Sequence, residues 1–230
     1  EEKSFREGSI FIQNGAFCAE SDADDTEVFD GKGCYAIPGL IDLHFHGCAG
    51  YDFCDGTTEA LDKISEYEAA AGITGISPAT MTLPFDELEH ILRTAYEYQS
   101  SQQSLAADQN HTENTAASGC CHGADLIGIN MEGPFISSTK KGAQDPRHIL
   151  QCDVKTARKF INSSGGLVKF IGIAPEENPD YLEFIAQLKD QVNISLAHTN
   201  ADYDTAMSAF GAGANHAVHL YNAMPPFTHR

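Results

Sequence analysis

The sequence predicts an α/β fold of parallel strands with helices packed outside them, in about six βα units preceded by a small β region. Three observations predict it. After Pro38-Gly39, apolar strand-like runs alternate with stretches of helical periodicity, the pattern that builds a parallel sheet covered by helices. Before Pro38, short apolar stretches are separated by turn-forming residues. The 230 residues, 42% of them hydrophobic, suffice for a substantial core and at most two domains. The expected division is 1–38 for the β portion and 39–230 for the βα portion.

In the first portion, Ile10 to Ile12, Ala16 to Ala19 and Val28 to Phe29 read as strands, separated by Asn14-Gly15, Ser21 to Asp25 and Asp30-Gly31. In the second, the strands are Leu40 to His46, Ile73 to Ala79, Leu126 to Glu132, Val168 to Ala174, Asn193 to His198 and His216 to Tyr221. Helical spacing marks Glu59 to Ala71, Pro84 to Gln99, Asp153 to Ser163, Pro179 to Gln191 and Tyr203 to Gly211. Asp153 and Asp202 are placed to cap helix N-termini, and Gly72 and Gly211 to end helices. A closed barrel needs eight units. Six imply either an open sheet or a barrel that this chain does not complete. Ser100 to Gly123, rich in Ser, Gln, Asn and Thr, reads as a long mobile surface insertion.

Charge and cysteine content narrow the function. With 33 acidic and 14 basic side chains, a balance of -19, the chain lacks the basic surface that nucleic-acid phosphates require. No apolar run reaches the roughly 18 residues of a membrane helix. Glu1, Glu2 and Lys3 open no signal peptide, so the expectation is a cytoplasmic protein. The seven cysteines are odd in number, scattered and without C-x-x-C spacing, which points to reduced thiols. His111, Cys120, Cys121 and His122 read as exposed residues of the insertion, because no spacing among them sets a coordination geometry.

The chemistry-bearing residues collect at strand ends. In PGLIDLHFHG, His44 and His46 are two apart, so a strand turns both imidazoles to one side, within reach of one cation. In NMEGPFI, alternation turns Gly128, Asn130 and Glu132 away from Ile127, Ile129 and Met131, toward the interior. A carboxylate buried there must be paired, hydrogen-bonded or bound to metal. Gly133-Pro134 is expected to turn the chain sharply after it. His198 closes NISLAH, where parity puts it with Ile194 and Leu196 unless the alternation breaks. His219 lies in HAVHLYNAM on the side of Ala217 and Tyr221, whereas His216 faces the helices as a packed or surface residue. Imidazoles and a carboxylate converging on one point suit zinc, iron, cobalt, nickel or manganese.

These segments, with KKGAQ, IAPE and HLYNAMPPFTHR, resemble the ordered motifs of N-acetylglucosamine-6-phosphate deacetylases of the amidohydrolase superfamily, from Pro38 to Arg230. MEGPF and HLYNAMPP belong to this branch, and the H-x-H to amidohydrolases generally. The resemblance implies a (β/α)8 TIM-type barrel with a small β-sandwich, here incomplete, and metal-dependent removal of acetyl from a phosphorylated amino sugar. It implies Glu132, His198 and His219 as ligands of the principal divalent metal, zinc or iron foremost, with His44 and His46 available for a second. It further implies sugar-phosphate contacts at Asn222, Ala223, Arg230 and Gln144, the last standing where the family pattern usually reads His. The family's general acid-base aspartate follows a later strand, and no residue through Arg230 matches it. A homodimer is implied for the complete protein. Two other readings are another amidohydrolase acting on a cyclic amide or amine, some of which use a carbamylated lysine, and a non-catalytic fragment. Lys169 lies mid-strand, which disfavours the first.

Overall fold

The computed structural model describes residues 4–13, 16–19, 27–109 and 123–227, with side chains through 102 in the helix that ends the third range. The chain divides into two compact units, Glu1–Pro38 and Gly39–Arg230. In the first, β1 (Phe11–Gln13) and β2 (Ala16–Cys18) pair antiparallel with Ile12 opposite Phe17. Val28 and Phe29, expected as a strand, lie in irregular chain at 83% and 92% exposure. Among the described residues of this unit the only paired strands are those of the two-stranded ribbon, which by itself buries little. Asn14-Gly15 and Ser21 to Asp25 fall outside the described residues.

The second unit runs β3 (Leu40–Asp42), β4 (Gly47–Cys48), β5 (Tyr51–Asp52), α1 (Thr58–Ala70), β6 (Ile73–Ile76), β7 (Ala79–Thr80) and α2 (Phe85–Gln109). It continues through β8 (Asp125–Leu126), β9 (Ile129–Phe135), α3 (Val154–Ser163), β10 (Val168–Ile173), α4 (Tyr181–Leu188), β11 (Asn193–Leu196), α5 (Tyr203–Ala212) and β12 (His216–Ala217). Among the described residues, every pairing in this unit apart from the β4–β5 hairpin is parallel, in the orders β3-β6-β8 and β7-β9-β10-β11-β12. β6 and β7 are one strand position interrupted at Ser77-Pro78, where proline supplies no N–H to a ladder. β8 and β9 are the next. The Ile127 N–H donates to the Ile76 carbonyl at 3.0 Å and the Asn130 N–H to the Pro78 carbonyl at 2.9 Å, carrying the pairing across the break.

The strand positions therefore follow one another in chain order, as in a barrel wall, without the reversal of a doubly wound sheet. Helix termini follow local chemistry. Asp153 and Asp202 accept the N–H groups of Thr156 and Thr205 at 2.8 Å, satisfying donors that each helix start leaves over. Gly72, at φ 88°, follows α1 as expected. The sheet packs on the helices through Ile76, Ile129, Ile171 and Ile194, which meet Leu88, Phe160 and Ile185 among the buried residues.

Three expectations change. α2 continues through Gln109, taking in the first ten residues assigned to a mobile insertion. Polar side chains do not interrupt it, because Ser101 Oγ bonds back to the Tyr98 carbonyl at 2.7 Å and Gln102 reaches the Tyr98 hydroxyl at 3.1 Å. Residues 110–122, with His111, Cys120, Cys121 and His122, lie outside the described residues. Gly133-Pro134 makes no turn, since β9 runs through a cis peptide there to Phe135. α5 ends at Ala212, capped by Gly213 at φ 127°, rather than at Gly211.

Phe160 is fully buried, with its ring centroid 5.0 Å from that of Phe85. Phe160→Ala removes both the burial and the ring contact and is expected to destabilise the unit by about 3–5 kcal/mol in urea unfolding; a loss under about 1 kcal/mol would place the core elsewhere.

Candidate metal centre

The first two histidines are set by a strand end. Asp42 Oδ1 accepts the His44 N–H at 3.0 Å, bending the chain out of β3. His44 and His46 then stand with ring centroids 5.5 Å apart and both reach Glu132: His44 Nε2 lies 3.2 Å from Oε1, and His46 Nε2 lies 3.1 Å from Oε2. Glu132 sits in β9, every residue of which is buried, and is 2% exposed.

His198 arrives by the break that strand parity required. β11 stops at Leu196, and His198 adopts φ 44°, a left-handed conformation that costs a non-glycine residue about 1–2 kcal/mol. Its carbonyl is held by the Ser137 N–H at 2.9 Å, and its Nε2 turns to Glu132 Oε1 at 3.1 Å. His219 reaches the same oxygen at 2.7 Å. The strand expected through Tyr221 is only His216–Ala217, because positive φ at His219, Tyr221 and Ala223 coils the chain into turns. His216 packs on Phe170, with ring centroids 5.0 Å apart.

The far side of each ring settles what the near side offers. His198 Nδ1 lies 2.8 Å from the Lys140 carbonyl and His219 Nδ1 lies 3.0 Å from the Asn222 carbonyl. A carbonyl only accepts, so both Nδ1 atoms carry hydrogen, and each ring, when it holds no second proton, presents a bare Nε2 lone pair. Those two Nε2 atoms are 3.2 Å apart and face the same carboxylate oxygen. Such an arrangement repels itself unless a positive charge, proton or cation, lies within it. Burial pushes the Glu132 carboxyl up, but hydrogen bonds from His198, His44 and His46 outweigh it and hold the group well below the usual carboxylate range. The bond to Glu132 raises His46 against burial. Burial lowers His198, and the bonds to Glu132 and Lys140 reverse that to a net rise.

This donor set fits a divalent cation. Ligand atoms of His44, Glu132 and His219 lie within 4.8 Å of one another, and neutral imidazole with carboxylate oxygen is a common ligand combination for borderline metals. Carbonyl-anchored Nδ1–H groups fix the tautomer in which Nε2 is free to coordinate.

The other expected residues are placed differently from one another. Asn222 is exposed, and its backbone binds His219 through both its carbonyl and its N–H; Ala223 follows at φ 51°. Lys140 Nζ donates to the Met224 carbonyl at 3.3 Å beside this turn. Gln144, expected at the sugar or phosphate, is 2% exposed and donates to Glu132 Oε2 at 2.7 Å. Arg230 lies outside the described residues. Lys169 is exposed and bonded to the Gly166 carbonyl, taking no part in the cluster.

Sequence reasoning missed the Lys140 and Asn222 carbonyls, which have no residue-type signature. It also missed the tie of Glu176 to the Thr199 hydroxyl and Asn200 N–H, which holds the loop after His198. Asn130 had a signal in its inward parity. Its amide nitrogen lies 3.0 Å from the Leu43 carbonyl and 3.2 Å from His44 Nδ1.

Comparison with known proteins gives a consistent set. The sequence pattern of the amidohydrolase family matches residues 35–228. The chain is 37% identical over 195 residues to the N-acetylglucosamine-6-phosphate deacetylase of Bacillus subtilis (strain 168), covering 84% of this chain and 45% of that protein. It is 30% identical to the N-acetylgalactosamine-6-phosphate deacetylase of Escherichia coli O157:H7, covering 84% and 46%. A mutant N-acetyl-D-glucosamine-6-phosphate deacetylase from Mycobacterium smegmatis, solved in complex with N-acetyl-D-glucosamine-6-phosphate, superposes with a TM-score of 0.69 at 28% identity, covering 84% of this chain and 45% of that one. The chain thus spans about half the length of the curated relatives it matches.

The electrostatics predict a pH dependence for metal-free protein. His46 and His198 are raised above 6.5, so their pairing with Glu132 stabilises fully below that value and is lost as pH climbs through the raised values. The depressed Glu132 contributes above its ordinary 4.5 and loses that contribution only as pH falls through its much lower folded value. With chelator present, the urea midpoint should therefore fall as pH rises from about 6.5 toward 8. Glu132→Gln should flatten that fall, and a midpoint rising over the same interval would contradict the assignment.

Proposed function

This chain belongs to the amidohydrolase family, and from that premise we propose that it supplies the metal-binding residues of an N-acetylglucosamine-6-phosphate deacetylase, releasing acetate and glucosamine-6-phosphate in amino-sugar catabolism. One observation carries the reading: the Nε2 atoms of His198 and His219 converge on one oxygen of a buried glutamate while each Nδ1 is turned to a backbone carbonyl, an arrangement suited to a cation. In this reading Glu132, His198 and His219 hold the principal metal, zinc or iron, and His44 and His46 are available for a second.

A bound divalent cation supplies Lewis acidity, making water nucleophilic near neutral pH and polarising the acetamide carbonyl. The chain's own residues orient the ligands and bind the substrate. The Lys140 and Asn222 carbonyls hold the two imidazoles in the ligating tautomer. In this reading the exposed Asn222 side chain and the Ala223 backbone meet the sugar phosphate, and Arg230 clamps the phosphate through its planar fork of donors. The proton passed from water to the departing amine requires an aspartate that no residue of this chain matches. Residues 1–38 belong in this reading to the small β-sandwich portion and 39–230 to the barrel. The working protein is a cytoplasmic homodimer acting on a small phosphorylated amino sugar. The relatives' names and the complex with N-acetyl-D-glucosamine-6-phosphate support the substrate class.

At the protein's natural length, chelation or His219→Ala should lower acetate release from N-acetylglucosamine-6-phosphate by at least about 100-fold, together with metal content. Full activity without bound metal would refute the proposal. Arg230→Ala should raise KM for that substrate about 10- to 100-fold, as loss of a charged hydrogen bond implies. An equal loss on unphosphorylated N-acetylglucosamine would remove Arg230 from the phosphate site.

A further inference from the structure

We infer that Gln144 is a positioning residue for Glu132, securing one carboxylate oxygen so that the other is presented to the cation; this rests on the proposed function and deepens it. The Thr82 N–H, which can only donate, lies 2.6 Å from Gln144 Oε1. That contact settles which end of the amide is oxygen and turns the NH2 group toward Glu132. The two N–H bonds are then both committed, since Nε2 lies 2.7 Å from Glu132 Oε2 and 3.6 Å from Met81 Sδ. With 2% of the residue exposed, no donor is left for a sugar or a phosphate.

The consequence falls on the two oxygens of Glu132 unequally. Oε2 takes the Gln144 amide and His46, whereas Oε1 takes His44, His198 and His219. The amide therefore stops the carboxylate from rotating and directs Oε1 toward the Nε2 atoms of His198 and His219. The clamp is itself held from behind. Thr82 is 1% exposed and lies against Gly133, the residue after Glu132, so closely that an added Cβ would overlap Thr82 Oγ1. Only glycine lets the donor of Gln144's anchor approach the strand that carries Glu132.

The test is cobalt binding to chelated, natural-length protein, read by chelator competition and by the visible absorption of bound Co2+, neither of which needs turnover. Gln144→Met keeps the side chain's length but has no N–H; it should weaken Co2+ binding about 10- to 100-fold and alter the absorption bands. Gln144→His, which brings a ring N–H to the same oxygen, should restore affinity to within a few-fold. If the methionine variant does not fold, Gln144→Asn, which withdraws the donor by one methylene, carries the same expectation. Native affinity and native bands in the methionine or the asparagine variant, with a raised KM for N-acetylglucosamine-6-phosphate, would overturn this inference alone and make Gln144 a substrate contact. A wild-type protein that takes up no Co2+ would overturn it together with the proposed function.

Discussion

Everything at the rim of this sheet is organised by one buried carboxylate. Glu132 is nearly inaccessible to water, and an ionised carboxyl in that position is tolerable only because imidazoles, an amide and, by charge balance, a proton or cation surround it. Four histidines from three parts of the chain are held at 2.7 to 3.2 Å from its two oxygens. The parallel sheet makes this convergence possible, since strands running in one direction bring their C-terminal ends to one edge.

Holding the convergence requires backbone that ordinary strands do not supply. His198 and His219 leave the extended region for positive φ, and the strain is countered by bonds from neighbouring loops. The Ser137 N–H grips the His198 carbonyl, and Glu176 grips the residues after it. Ser137 in turn donates its hydroxyl to Glu177 at 2.6 Å. The loops after β9, β10 and β11 are thereby tied into one rim, so that histidine orientation is a collective property of three connections. Packing below supports the rim: the isoleucines of β6, β9, β10 and β11 anchor the strands on helices whose starts are capped by local side chains.

Much of this was legible in the residues. The alternation of apolar runs announced six parallel strand positions, and D-x-H-x-H, MEGPF and the terminal histidine of LAH marked strand ends whose side chains converge. The parity conflict at His198 was a real signal, answered by a left-handed residue. Other features were hidden. The polar run after Gln99 looked like a loop because composition does not distinguish an exposed helix from an exposed insertion when serines and glutamines bond back along the helix. The bond of Gln144 to Glu132 had no signature because the two lie twelve residues apart in sequence, on different segments of the rim.

The sequence by itself determined the α/β class, the order of the strand positions and the chemical identity of the convergent groups, because periodicity and residue type are local properties. Only the tertiary structure decided which ring nitrogen faces a carbonyl, which carboxylate oxygen faces which imidazole, and that Gln144 bonds to Glu132. Those depend on backbone carbonyls and N–H groups of Lys140, Asn222 and Thr82, which every residue type offers alike and which acquire meaning only where the fold brings them within hydrogen-bonding distance.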